Sequence, residues 1–401
     1  MKFLRQWASS PEFWAVCLRL FFLALPLGVS HGDAYDFQAI ADNLANGNGF
    51  SRCLTSPFPL TSDRPPLFPL LLGLVQWVGL RHVLGVPWLL NLIFDLLAIR
   101  AARRLGRATG MARPQYLLWL IALCPLLIFY GRYPLAESLG VWLFFESAAL
   151  LFMQKGLRAG FFFGLLSLTR SYYLLLPFFL FIPRALPQMK GRFLAWVVLG
   201  SLLAPSVWIG RNFIQFGKPL FSQGGTAAFQ SYVGFCRTNF SWWDQEDYNW
   251  ISSHPVFSEM LGSHCFTQEK MMQIDQRGWV QVVDCIEAAP GSALKNAAVK
   301  TWNLFVDWGQ VFPYDPVSWP MRMAIDGLFV LIWGFVLFTL LRDKKILQGS
   351  AVRYALLSTF YVLCTTAPFA IDARYLLGPA LLMFSVAMSE RAASSSRRRT
   401  R

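Results

Sequence analysis

Long apolar runs recur along this chain from residue 11 to residue 389, broken by short clusters of Arg and Lys. That alternation restricts the fold more than any single motif, because about 20 apolar residues cross a bilayer core as one helix. With 55% hydrophobic residues, a mean hydropathy of +0.42 and 14% charged residues, the 401-residue chain is too apolar for a soluble domain. The expected fold class is an all-α polytopic membrane protein. The net charge of +14 does not mark a nucleic-acid binder, since the basic residues fall between apolar runs rather than on one face. No internal repeat of fixed period is present. Residues 11–29 lack a small-residue cleavage pattern and are expected to remain as an anchor.

Positive charge orients the loops. Lys2 and Arg5 place the start of the chain on the cytoplasmic side, so 11–29 crosses outward. The run 86–102 ends in Arg103, Arg104 and Arg107 and returns inward; 114–131 leads out to Glu137 and 138–154 leads in to Lys155 and Arg158. Residues 194–210 exit before Arg211, 324–341 re-enter, 351–368 exit and 375–389 return to the Arg-rich tail. Two segments break the count. Residues 66–80 have external residues on both sides and are expected to be re-entrant; the alternative makes them a true span and puts the Arg103 cluster outside. Residues 160–184 start and end at cytoplasmic charges and are expected to be two short helices meeting near Thr169 and Arg170. Non-helical backbone at that depth is tolerated only against protein or a water-filled cavity, so both exceptions point to a cavity on the external side.

The first long polar interruption, residues 31–65, carries the densest chemistry. Asp33 and Asp36 lead an amphipathic helix that Gly47 and Gly49 should stop, and Arg64 precedes two prolines. Such a helix lies on the bilayer surface, and the carboxylate pair suggests the rim of an active site. Asp33 also suits an N-cap, and His31 beside it is a second, weaker candidate base. Ionisable groups within spans are costly and mark functional positions. Arg64, Arg170, Arg211 and Arg374 all sit at or near external span ends, where the positive-inside rule disfavours them; an anionic ligand accounts for the excess. Deeper in the spans, Asp95 is expected to pair with Arg100 and, like Glu146, to serve packing.

The long external segment 212–320 should form a cap, with WWDQEDYNW, a helix from Gln268 to Ala288, a break at Pro290-Gly291 and a second helix from Ala293 to Asp307. It divides the chain into 1–211, 212–320 and 321–401. Of the seven cysteines, Cys17, Cys124 and Cys364 lie within spans. Cys53, Cys236, Cys265 and Cys285 fall in external segments, where an oxidising compartment permits bridges in any of three pairings. None shows zinc-site spacing, and four His make a metal cluster an unlikely expectation.

DAYDFQAIADNLANGNGF and RPPLFPLLLG resemble the first external loop of the GT-C glycosyltransferases, in the branch holding family 39, the protein O-mannosyltransferases and the aminoarabinose transferases. YGRYPLAESL, LSLTRSYYLLLP, WIGRNFIQFG and DARYLLGP extend the resemblance in the expected order. It implies a GT-C-like bundle in a bacterial inner membrane, with the active site facing the periplasm. It also implies a polyprenyl-phosphate-linked sugar donor and a glycan, lipid or protein acceptor. Asp33 matches the general base of an inverting displacement, and Arg64 the first phosphate ligand, where relatives often carry Lys. Ala34 departs from the family's Asp-Glu pair, so the second acidic role falls to Asp36 or Glu137; Arg170, Arg211 and Arg374 are further donor-binding candidates. No metal ligand set is implied. Two other classes stay open: a flippase for a lipid-linked glycan, which predicts paired repeats with broken helices, and a non-catalytic envelope-assembly subunit.

Overall fold

A computed structural model describes residues 9–24, 32–80, 85–180, 186, 189–221, 227–237, 245–260, 265–306, 319–342, 349–366 and 376–399. Among these residues the chain is helical, with no strand. The first half comprises α1 (Pro11–Ala24), α2 (Gly32–Ala45), α3 (Leu67–Trp77), α4 (Val86–Thr109), α5 (Gln115–Leu123), α6 (Pro125–Tyr130), α7 (Glu137–Phe152), α8 (Gly156–Ser167), α9 (Leu176–Phe179) and α10 (Gly191–Phe216). Then come α11 (Ala227–Cys236), α12 (Gln245–Ser253), α13 (Gln268–Ala288), α14 (Pro290–Val306), α15 (Trp319–Arg342), α16 (Ser350–Thr366) and α17 (Leu377–Arg399).

By length and composition α10 alone among the described residues suffices to cross a bilayer, and only 33% of its apolar window is buried. Val207 and Ile214 on its outer face are 75% and 85% exposed, unlike a core helix of a soluble protein. The shorter apolar helices are α3, α8, and the stretches Val330–Arg342 of α15 and Leu377–Ser389 of α17.

Glu12 at the head of α1 pairs with Arg103 near the tail of α4, and Arg19, farther along α1, pairs with Asp95, earlier in α4. The two therefore run antiparallel, with the Arg103 cluster beside the start of α1. A complete crossing by 66–80 would place those ends on opposite faces. Eleven residues give α3 a length of only about 16 Å, half a bilayer core. It packs on α2 so closely that a Cβ at Gly73 would lie 3.0 Å from Leu44 Cβ.

Asp95 does not meet Arg100. Five residues turn an α-helix by about 140°, off the i, i+4 face, and Asp95 instead accepts from Arg19 Nε at 2.6 Å, with side chains 0% and 1% exposed. Arg19 also donates to the carbonyls of Ala122 at 3.0 Å and Ile121 at 3.5 Å. Those carbonyls sit where the expected single helix 114–131 divides into α5 and α6: Pro125 has no N–H for Ile121, and the backbone opens at Cys124 with ψ 114°. One guanidinium thus answers both a buried carboxylate and a proline break.

The α8–α10 pair is the tightest crossing. Gly156, Gly160 and Gly164 recur at four-residue spacing on α8, and a Cβ at Gly160 would stand 2.0 Å from Val197 O of α10. After α8 the helix breaks at Leu168–Arg170, as expected for 160–184, and a 3-10 turn, Ser171–Tyr173, follows. Tyr361 of α16 satisfies the opened backbone there: its hydroxyl donates to Tyr172 O and accepts from Leu175 N at 3.0 Å.

The segment after α10 folds around Phe229, Val233, Ile251, Phe257 and Ile274. Helix α13 has the expected bounds, starting after Thr267, whose hydroxyl accepts from Lys270 N at 3.3 Å. Helix α14 begins at Pro290 rather than Ala293, since proline suits a first helical position. The bridges are Cys53–Cys265 and Cys236–Cys285. Cys17, Cys124 and Cys364 are free, with Cys364 exposed rather than buried.

Candidate active site

The loop from Asn46 to Pro66 folds back over α2. Gly47 and Gly49, at φ +79° and +80°, end the helix as glycine's backbone freedom permits. Asn43 on α2 then donates to Ser51 O at 2.8 Å and Cys53 O at 2.7 Å, and Thr61 N returns to Phe50 O at 2.9 Å. Leu67 N donates to Leu168 O at 3.0 Å, so the loop ends against the break after α8.

These restraints deliver Arg64 to the carboxylates of α2. Its Nε lies 2.9 Å from Asp36 Oδ2, to which Nη2 also donates, while Nη1 lies 3.1 Å from Asp33 Oδ1. The pairs differ in depth: the Asp33 side chain is 21% exposed and that of Asp36 9%. Burial works against the Arg64 charge, but Asp36, Asp33 and Asp63 outweigh it and raise the guanidinium pKa. Asp63, next in sequence, is buried and pairs with Arg52. Burial pushes the Asp63 carboxyl above its ordinary range, against the pull of Arg52 and Arg64. Three carboxyl groups, Asp33, Asp36 and Asp63, thus gather around Arg64 and Arg52.

Arg211 reaches the same loop from α10. Its Nη1 donates to Thr61 O at 3.1 Å and to Asn212 Oδ1 at 2.7 Å, and its guanidinium lies 4.9 Å from the Trp208 ring centroid. From the other side Gln268, the first residue of α13, accepts from Ser62 N at 2.9 Å, and Cys265 is bonded to Cys53. The loop holding Arg64 is clamped between α10 and the helices that follow it.

Glu137 and Arg170 form a second centre. Arg170 Nη2 donates to Glu137 Oε1, and the pair opens onto a cavity of about 20 Å³, room for a water molecule. Gly140, Tyr172, Tyr173 and Gly378 complete its wall. Gly378 stands four residues after Arg374; Arg374 and His31 both lie outside the described residues. The Leu67–Leu168 hydrogen bond joins the two centres, with Arg64 three residues before it and Arg170 two after.

Asp33, Asp36 and Arg64 thus come together, Arg211 buttresses their loop, and Glu137 with Arg170 stands apart from the carboxylate pair. Arg52 and Asp63 belong to the centre without having been singled out; a second Arg and further Asp residues within one polar stretch were the available signal. Gln268 carried none, since 206 residues separate it from Ser62. Among the described residues no three of His, Cys, Asp and Glu are grouped to hold a metal ion.

No protein-family model matches the chain, and no curated protein does. A solved structure, the archaeal oligosaccharyltransferase AglB from Archaeoglobus fulgidus in complex with an inhibitory peptide and a dolichol-phosphate, superposes with a TM-score of 0.52 at 12% identity. The superposition covers 97% of this chain and 50% of that one, so the chain spans about half the neighbour's length. At that identity the likeness is one of fold alone.

Proposed function

We propose that this protein is an integral-membrane glycosyltransferase that moves a sugar from a polyprenyl-phosphate donor to an acceptor at the external membrane face. The observation that carries the reading is the Asp33–Arg64–Asp36 constellation, a carboxylate and a guanidinium at hydrogen-bond distance on a clamped loop. The GT-C-like fold supports it, and the neighbouring structure's dolichol-phosphate is a ligand of the proposed chemical class. In this reaction the acceptor hydroxyl oxygen attacks the anomeric carbon while Asp33 takes the hydroxyl proton. The bond from that carbon to the phosphate oxygen breaks, the electron pair leaves with the phosphate, and Arg64 stabilises the growing charge. Single displacement inverts the anomeric centre. Asp36, deeper and bonded to the Nε edge, acts as a positioning residue that sets the plane of Arg64. Glu137, Arg170 and Arg374 are assigned to the donor's remaining groups, and Arg211 to holding the loop.

The test is mass analysis of envelope glycans in cells with and without the protein, combined with Asp33→Asn. Asp33 lies within the first turn of α2 rather than at its N-cap, and Asn preserves its size, so the variant should reach normal levels while product formation falls roughly 100-fold to 10,000-fold. Undiminished product in Asp33→Asn, in Asp36→Asn and in the double variant would remove this loop from the chemistry.

A further inference from the structure

Arg64 already has its anions. Asp36 takes the Nε side at 2.9 Å, and Asp33 the Nη1 end at 3.1 Å. The backbone that carries Arg64 is anchored on both sides, with Thr61 and Ser62 tied to Phe50, Arg211 and Gln268 and Leu67 tied to Leu168. An anion that binds Arg64 beside α2 therefore meets carboxylates already in contact with it. Asp33 is the more exposed of the two partners, 21% against 9%, and makes the less extensive contact.

We propose that the phosphate of an incoming ligand displaces Asp33 from the Nη1 end of Arg64 while Asp36 stays, so that ligand binding itself releases the base. This rests on the phosphate-binding reading of Arg64 above and adds the order of events to it. In the empty site Asp33 Oδ1 lies 3.1 Å from Arg64 Nη1, so that oxygen is engaged by the guanidinium. Once displaced, it has lost a cationic neighbour and gained an anionic one, and both changes strengthen its hold on a proton. Taking the acceptor's proton then relieves the repulsion that phosphate entry created. Attack before the donor is seated is suppressed by the same exchange.

The experiment is calorimetric titration of the full chain in lipid nanodiscs with two probes, geranylgeranyl phosphate and inorganic phosphate. Asp33→Asn removes the competing charge and should tighten binding by roughly threefold or more, the scale of a partly exposed ion pair. Asp33→Ser serves as a second variant if the first is poorly folded. Asp42→Asn removes a carboxylate from the same helix that pairs with Gln38 instead, and should shift affinity less than 1.5-fold; a shift equal to that of Asp33→Asn would reduce the effect to long-range charge and overturn the exchange. Arg64→Ala should lose binding. Loss of binding in Arg64→Ala with unchanged affinity in Asp33→Asn also defeats the exchange while leaving the phosphate reading intact. Wild-type affinity in Arg64→Ala, or no binding of either probe to the wild type, defeats the reading itself. Tightening confined to the isoprenyl probe identifies a lipid phosphate as the ligand; equal tightening with inorganic phosphate identifies the free anion.

Discussion

Arg19 and Arg64 each hold an aspartate, yet their surroundings assign them different work. The Arg19–Asp95 pair is 1% and 0% exposed, closed among α1, α4 and α5 with no approach for a ligand. Arg64 is 26% exposed and shares its guanidinium between two carboxylates. Removing one partner of a buried pair leaves an uncompensated charge, which costs about 3–5 kcal/mol. Arg19→Met should therefore lower the thermal unfolding midpoint of the purified protein sharply. Arg19→Met combined with Asp95→Leu should recover most of the loss, because the stranded carboxylate is gone. The deficit that remains measures the orphaned carbonyls of Ile121 and Ala122, about 1–3 kcal/mol. A double variant as unstable as the single one would mean that the carbonyls, not the charge, are what Arg19 answers.

The contact between α8 and α10 depends on glycine. With Cβ positions 2.0 Å from Val197 O at Gly160 and 2.8 Å from Ser201 O at Gly164, any side chain there forces the helices apart. Close backbone approach through small residues is how helices associate where lipid offers no hydrophobic advantage. Gly160→Ala should cost about 1–3 kcal/mol from overpacking, despite alanine's better helix propensity. Gly210→Ala on α10, where nothing lies within 4 Å, should instead be neutral or stabilising by up to about 1 kcal/mol. Comparing the two by thermal unfolding separates packing from propensity; equal effects would contradict the tight crossing. Because α8 ends at the break carrying Arg170, and α10 carries Arg211 in its last turns, a shifted α8 should also loosen both residues.

The molecule as a whole commits to a parity. The antiparallel α1 and α4 put the Arg103 cluster beside the start of α1, while Cys53–Cys265 binds the first polar loop to the helices after α10. A cysteine introduced at exposed Ala108, in a background without the native cysteines, should be shielded from an impermeant thiol reagent in intact cells. One at exposed Asn46 should label readily. Labelling at Ala108 with protection at Asn46 would invert the proposed orientation, and labelling of both would mean that α3 crosses the bilayer.

Local signals were legible in the residues alone. Glycines that end α2, the helix from Gln268 to Ala288, the interruption at Thr169–Arg170 and the half-length segment before Gly79 all follow from periodicity, breakers and charge parity, which act over a few residues. Asp33, Asp36 and Arg64 were legible for the same reason, lying within one polar stretch between apolar runs. Partner choice was not. Asp95 finds Arg19, 76 residues away, instead of Arg100 nearby; Arg64 divides between two aspartates; Gln268 grips Ser62; and the four cysteines of the polar segments settle on one of three pairings. Helix and turn formation is decided by neighbours along the chain, whereas an ion pair or disulfide needs two groups a few ångströms apart in space, and only the packed helices decide which groups those are.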